Sequence, residues 1–369
     1  MTIPFNDLGR IDASRLEEFS EAAARVIASG CYVLGPEHDA FESEIAQFVG
    51  VRFALGCANG TDALQIALRA LGVSSGDTVV TVANAGGYTS AAARLIGANL
   101  AYADVDKESH LVSLDSLKEL VGALSVLPRV IVVTHLYGAA APVSQITEWA
   151  HRLGIPVVED CAQALGAFDE GARVGSIGDV ATTSFYPTKN LGGFGDGGAI
   201  FTNRAELANR VVALRQYGWT SKYNSTVPMG TNSRLDELQA AFLRIGLATL
   251  DSRNDRRRLI HSRYSEAAGN GIKLVNKSGS GFVGHLAVLL TENRDLAIEY
   301  LSSQGVSTAI HYPIPDHLQK STGGFSNPVG LQNTEILAGK ILSLPLFPEL
   351  TEHEIVTVTG AVADLGRLV

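Results

Sequence analysis

The chain has 369 residues, a hydrophobic fraction of 46% and a formal charge of -9, enough apolar material for one large or, more typically, two packed domains. No long run of Lys and Arg stands out, so the electrostatic footprint of a nucleic-acid binder is missing. Residues 1–10 lack a basic stretch followed by an apolar core, and the most apolar runs elsewhere are strand-length, so neither export nor membrane insertion is expected. The cysteines Cys31, Cys57 and Cys161 are scattered, odd in number and without metal-ligand spacing, which fits a reducing, cytoplasmic setting and no metal site.

Helical periodicity opens the chain over residues 14–29 and 37–49, where apolar positions mix with charged ones. The texture then changes to short apolar or β-branched runs bounded by Gly, Pro, Asn or Asp, at 77–82, 100–105, 130–134, 156–159, 180–185 and 199–202. These read as buried strands. Helix-like stretches at 63–71 and 143–153 lie between them, and the alternation implies a mostly parallel sheet covered on both faces. From 234 to 268 the pattern is helical and rich in Arg, until Gly, Ser and Asn break it over 270–284. Strand candidates 285–290 and 306–312 follow, separated by a helix near 296–303. The expectation is an α/β protein with a large domain over 1–245 and a smaller α/β domain over 246–369, joined by N-terminal residues.

In such sheets ligands gather beyond the carboxyl ends of the strands, and Asp160, Ser184 and Lys189 all follow strands. Lys189 leads into Gly192-Gly193-Phe194-Gly195-Asp196-Gly197-Gly198, where the glycines allow tight turns close to a ligand. A lysine placed there can form an imine with an aldehyde when its amine is partly desolvated. Asp160 ends the apolar run Val157-Val158-Glu159, and an ionised carboxylate keeps the ring nitrogen of pyridoxal 5'-phosphate protonated, the state in which that cofactor accepts electrons. Gln163 can donate to the ring's phenolic oxygen, while Glu159 points the other way along the strand. The turn Ala58-Asn59-Gly60-Thr61-Asp62 opens an amphipathic helix, whose free amides at Gly60 and Thr61 suit a phosphate, with the Ser184 hydroxyl as a further donor. Each feature has a plainer reading: a solvated loop lysine, and caps at Asp160, Thr61 or Asp62. Their conjunction in this order favours the cofactor.

Taken together, Asn59-Gly60-Thr61-Asp62-Ala63-Leu64, Glu159-Asp160-Cys161-Ala162-Gln163-Ala164, Ser184-Phe185-Tyr186-Pro187-Thr188-Lys189-Asn190-Leu191, Gly195-Asp196-Gly197-Gly198 and Gly230-Thr231-Asn232-Ser233-Arg234-Leu235-Asp236 resemble the DegT/DnrJ/EryC1/StrS sugar aminotransferases. That family is a branch of the aspartate-aminotransferase-like (type I) fold, and the resemblance runs along nearly the whole chain. It implies that Lys189 is catalytic and holds pyridoxal phosphate as a Schiff base. Asp160 would meet the pyridine nitrogen, Gln163 the phenolic oxygen, and Gly60, Thr61 and Ser184 the phosphate. Tyr88 would cover the ring by offset stacking, although Asn84-Ala85-Gly86-Gly87 departs from the family's segment rich in Pro, His and Thr. The resemblance also implies a homodimer in which Asn232 reaches the partner's cofactor; its plainer role is a helix cap.

The run Ile310-His311-Tyr312-Pro313-Ile314-Pro315-Asp316-His317-Leu318-Gln319 resembles the subgroup that aminates C-3 of nucleotide-linked, dTDP-type 3-keto-6-deoxyhexoses with L-glutamate as donor. By that resemblance Tyr186, Lys222, His311 and Tyr312 line the sugar and pyrophosphate pocket, Lys222 supplying positive charge. Related readings are amination of a 4-keto-6-deoxyhexose or of a 3-keto uronic acid, the latter calling for extra cations near the sugar. A 3-dehydratase of similar fold carries His where Lys189 stands, and a non-catalytic regulator would lose Lys189, Asp160 or the phosphate turn.

Overall fold

Alternate residues of the run 130–134 enter different hydrophobic clusters, Val130 and Val132 one, Ile131 and Val133 another, so the strand they build is buried on both faces. The computed structural model describes residues 2–269, 271–276, 278–322 and 326–368. Residues 270 and 277 of the expected break, and the terminal residues 1 and 369, lie outside the described residues.

The strands in chain order are β1 (Phe53–Cys57), β2 (Thr78–Val82), β3 (Asn99–Ala103), β4 (Val130–Thr134), β5 (Val157–Asp160), a small hairpin of β6 (Phe168–Asp169) and β7 (Ala172–Arg173), then β8 (Val180–Ser184) and β9 (Gly198–Thr202). A second hairpin pairs β10 (Trp219–Ser221) with β11 (Asn224–Ser225), and β12 (Ile272–Leu274), β13 (Ala287–Thr291) and β14 (Ile341–Leu344) follow. The central sheet has seven strands in the order β1-β9-β8-β5-β4-β2-β3. Its β9 runs antiparallel to both neighbours while β8, β5, β4, β2 and β3 pair in parallel. Helices Gly60–Ala70, Tyr88–Ile96 and Ala205–Leu214 pack on one face, Leu114–Ala123 and Val143–Arg152 on the other. The chain is thus α/β with a mainly parallel sheet, as its alternating pattern implies.

A smaller antiparallel sheet, β12-β13-β14, forms the C-terminal part. The N-terminus joins it: Ile3 bridges Val306 and is buried in the same cluster as Leu289 and Leu342. Residues 245 and 246 fall inside helix Glu237–Ala248, which is followed at once by helix Leu250–Ala267. The single helical pattern expected over 234–268 is therefore two helices, separated at Thr249.

One expected strand is absent. Residues 306–312 make only isolated bridges, Val306 to Ile3 and Ala309 to Ser343, and the third strand of the small sheet is supplied by Ile341–Leu344 instead. Pairing stops at Ala309, and Pro313 and Pro315, which lack the N–H a ladder needs, bar any extension beyond Tyr312.

Glu159 is a buried carboxylate on β5 that accepts from the amides of Gly175 (2.7 Å), Ile177 (2.8 Å) and Gly178 (2.7 Å), and from His135 Nε2 (3.1 Å). His135 Nδ1 accepts from the amide of Ala141 at 3.0 Å, so the ring proton sits on Nε2 and is donated to Glu159. Burial alone would raise this carboxyl, but the His135 and amide contacts hold it below the usual range. Glu159→Ala leaves all four donors unpaired inside the fold and should destabilise the protein by about 3–5 kcal/mol in urea denaturation. Glu148→Ala, on an exposed helical pair with Arg152, should stay within about 0.5 kcal/mol.

Candidate active site

Beyond the carboxyl ends of β5 and β8 the chain leaves a cavity of about 510 Å³. Its wall includes Gly60, Thr61, Tyr88, Asp160, Ser184, Tyr186, Lys189, His311 and Tyr312, all singled out in the sequence. Lys189 lies in the loop joining β8 to β9, where its amide donates to Tyr186 O at 2.8 Å. Asn190 fastens the loop from behind: its Nδ2 donates to Asn254 Oδ1 (2.8 Å) and Val283 O (3.0 Å), while its Oδ1 accepts from His285 Nδ1 (3.0 Å).

Burial drives the electrostatics. Desolvation lowers the Lys189 ammonium to about 8, against an opposing pull from the Asp160 carboxylate. Asp160 is itself raised by burial, with partial relief from the Ala162 amide at 3.1 Å and from Lys189. His285 is pushed well below its ordinary value by burial and then by the charges of Lys189 and Arg257. His311, with Nδ1 against Ser343 Oγ at 2.9 Å, falls to about 4 for the same first reason. The two imidazoles are therefore neutral at pH 7, and the positive charge of this wall comes from Lys189 and Arg257.

At the phosphate turn, Asn59 rather than Thr61 or Asp62 caps helix Gly60–Ala70, its side chain accepting from the Asp62 amide at 2.8 Å. That leaves the Gly60 and Thr61 amides at the open first turn. Gly60 is pressed against β8: a Cβ there would lie 2.7 Å from Ser184 Cβ, so a side chain would push the amides and the Ser184 hydroxyl apart. Gly86 explains the departure in the segment before Tyr88. Its φ is +79°, and a Cβ would come within 2.8 Å of the Tyr312 ring, which fills the space. Tyr88 is 47% exposed and meets Tyr312 edge-on, with ring centroids 6.3 Å apart.

Gln163, Lys222 and Asn232 do not line this cavity. Gln163 stands behind it, accepting from the Tyr137 amide (2.7 Å) and donating to the Tyr312 hydroxyl (3.1 Å). Lys222 lies on the exposed turn between β10 and β11, its ammonium 5.3 Å from the Tyr223 ring centroid, and Asn232 is exposed. Sequence reasoning passed over Phe5, Asn6, Thr188, Asp196, Arg257 and His285, which also form the wall. Arg257 had a usable signal: it falls on the stripe Leu250, Asn254, Arg257, His261 and Tyr264, the buried face of its helix.

The DegT/DnrJ/EryC1/StrS aminotransferase family matches residues 14–363. The chain belongs to this family. It is 41% identical over 371 residues to the dTDP-3-amino-3,4,6-trideoxy-alpha-D-glucose transaminase of Streptomyces venezuelae, spanning 100% of this chain and 97% of that protein. It is 40% identical over 366 residues to the dTDP-3-amino-3,6-dideoxy-alpha-D-galactopyranose transaminase of Aneurinibacillus thermoaerophilus, spanning 99% of each. The crystal structure of ntda from Bacillus subtilis with bound cofactor PMP aligns at a TM-score of 0.92 and 28% identity, over 99% of this chain and 85% of that one. In this DegT/DnrJ/EryC1/StrS aminotransferase, a lowered lysine should be measurable directly. Amine-directed acylation of cofactor-free protein, followed by peptide mapping over a pH series, should show Lys189 titrating near 8. Because Asp160 raises that value, Asp160→Asn should move the midpoint lower still; a wild-type midpoint at the ordinary lysine value of about 10.4 would contradict the desolvated site.

Proposed function

We propose that this aminotransferase moves an amino group from L-glutamate to C-3 of a nucleotide-linked 3-keto-6-deoxyhexose, dTDP being the nucleotide, with pyridoxal 5'-phosphate held on Lys189. The observation that carries this reading is the meeting, in one cavity, of a desolvated lysine, a buried carboxylate at a strand end and an open helix N-terminus.

The residues fit the cofactor. Gly60, with no room for a side chain against Ser184, leaves a cradle of the Gly60 and Thr61 amides and the Ser184 hydroxyl for a phosphate. Asp160, raised by burial, gains a counter-ion when a protonated ring nitrogen faces it. When bound, the cofactor supplies a conjugated electron sink for the carbon that loses a proton. Gln163, now engaged with the Tyr312 hydroxyl, keeps its role toward the phenolic oxygen as part of this proposal, and Tyr88 that of covering the ring.

Lys189 does the proton work. An amine titrating near 8 is close enough to neutrality to take a proton from the donor's α-carbon and return one to the sugar carbon. His311 and Tyr312, from the segment 310–316, and Tyr186 face the same space and would orient the sugar. The exposed positions of Asn232 and Lys222 suit residues that complete the site of a second copy, Asn232 at its cofactor and Lys222 at its anionic substrate, in a homodimer. The names of the transaminases aligned above favour C-3 and dTDP. No helix among the described residues is long and apolar enough to cross a membrane; a cytoplasmic location is part of the proposal.

Incubating the protein with pyridoxal phosphate, glutamate and a panel of 3-keto and 4-keto nucleotide sugars, then locating the new nitrogen by NMR, should place it at C-3 of the dTDP-linked 3-keto sugar. Nitrogen at C-4 would overturn the position. Lys189→Ala should lower turnover by at least about 10³-fold, and activity preserved in that variant would remove the proposed catalyst.

A further inference from the structure

Helix Leu250–Ala267 carries five arginines, and four of them have a carboxylate: Arg253 with Glu349, Arg256 and Arg263 with Glu352, and Arg258 with Asp255. Arg257 does not. It is the most secluded side chain of the set, 5% exposed, and no acid pairs with it among the described residues. Its Nη1 donates to Leu346 O (2.7 Å) and Gly284 O (3.4 Å), leaving Nε and Nη2 without a protein acceptor among the described residues. Those two nitrogens form the side-on edge of a guanidinium, the edge that grips a carboxylate with two parallel hydrogen bonds.

The edge has space in front of it. Arg257 lines the cavity of Lys189 and also a neighbouring cavity of about 330 Å³, and Asn6, Thr188 and Lys189 are shared with it between the two. Glu349, which faces the second cavity, is already held by Arg253 at 2.7 Å. A buried cation without a counter-ion is unfavourable unless a ligand supplies the anion. The phosphate cradle at Gly60, Thr61 and Ser184 lies on other elements and opens on the first cavity alone, whereas Arg257 faces both.

We propose that Arg257 binds a carboxylate of the amino donor and so fixes the donor's α-carbon near Lys189. The proposal rests on the aminotransferase reading above and adds a residue to it. A substrate's own carboxylate, as in a nucleotide-linked uronic acid, has the same chemistry, and the test separates the two.

The probe is 2-oxoglutarate, which has no amine to transfer. Its affinity for the pyridoxal-phosphate-loaded protein, read by calorimetry without turnover, should fall about 10- to 100-fold in Arg257→Gln. In the same variant the affinities for dTDP and for UDP-glucuronate should change less than twofold. Arg257→Lys keeps the charge but not the planar fork and should fall between wild type and Arg257→Gln; it also serves if the glutamine variant does not fold. Unchanged 2-oxoglutarate binding in both variants overturns the proposal, as does a larger loss for dTDP or UDP-glucuronate than for 2-oxoglutarate. A wild-type protein that binds 2-oxoglutarate through Arg257 yet aminates no keto-sugar would sink the proposed function alone.

Discussion

The site depends on an unfavourable placement: an amine and a carboxyl group both taken out of water at the carboxyl end of a parallel sheet. Burial pulls Lys189 down and pushes Asp160 up, and each partly reverses the shift of the other. Neither group would be useful alone in that position. A fully protonated lysine is no nucleophile, and a neutral aspartic acid gives no anion to hold a ring proton. The fold tolerates the pair because the surrounding layers are over-determined, from the β-branched strands beneath to the Asn190, Asn254 and His285 network that locks the lysine loop.

Adjacent carboxylates on β5 show how finely the backbone divides labour. Glu159 and Asp160 differ by one step of a strand, so they point to opposite faces. Glu159 meets three amides and an imidazole proton and becomes a structural anion held below its ordinary range. Asp160 meets one amide and a cavity. The chemistry of these two residues is opposite although their sequence context is the same, because only one face of the strand end is filled by protein.

Much of this was legible in the sequence. The strands at 130–134, 157–160, 180–184 and 198–202 announce themselves through short apolar or β-branched runs, and polar residues at or just beyond the ends of β5 and β8 line the cavity. What stayed hidden depends on packing rather than pattern. β1, Phe53-Ala54-Leu55-Gly56-Cys57, has no β-branched residue and becomes a strand through pairing with β9. The strand expected at 306–312 has the right composition, but the ladder position beside β13 is taken by Ile341–Leu344. Arg257 sits within an Arg-rich helical run; its burial follows from the helix face it occupies, which the charge-rich neighbours disguise. Lys222 and Asn232 lie off the cavity wall on exposed backbone, a placement set by the path of the chain around the hairpin of β10 and β11 rather than by any local pattern.

The failure of residues 306–312 to form a strand has a consequence for the site. Outside a ladder, the segment's last residues His311 and Tyr312 line the cavity, and the chain just beyond them is tied where the Asp316 amide donates to Ala83 O at 2.7 Å and Ser90 donates to the Asp316 carboxylate at 2.6 Å. His311 itself is held by Tyr137, whose hydroxyl donates to His311 O at 2.7 Å. Both anchors belong to loops or helices that leave the carboxyl edge of the central sheet, so residues 311–316 are positioned by the active-site edge of that sheet. The bare Gly86 is the counterpart on the other side: it makes room for the Tyr312 ring, and that ring in turn engages Gln163. A side chain at Gly86 would thus be felt at Gln163, two contacts away, which makes the Ala-Gly-Gly departure and the His-Tyr pair one structural unit rather than two independent features.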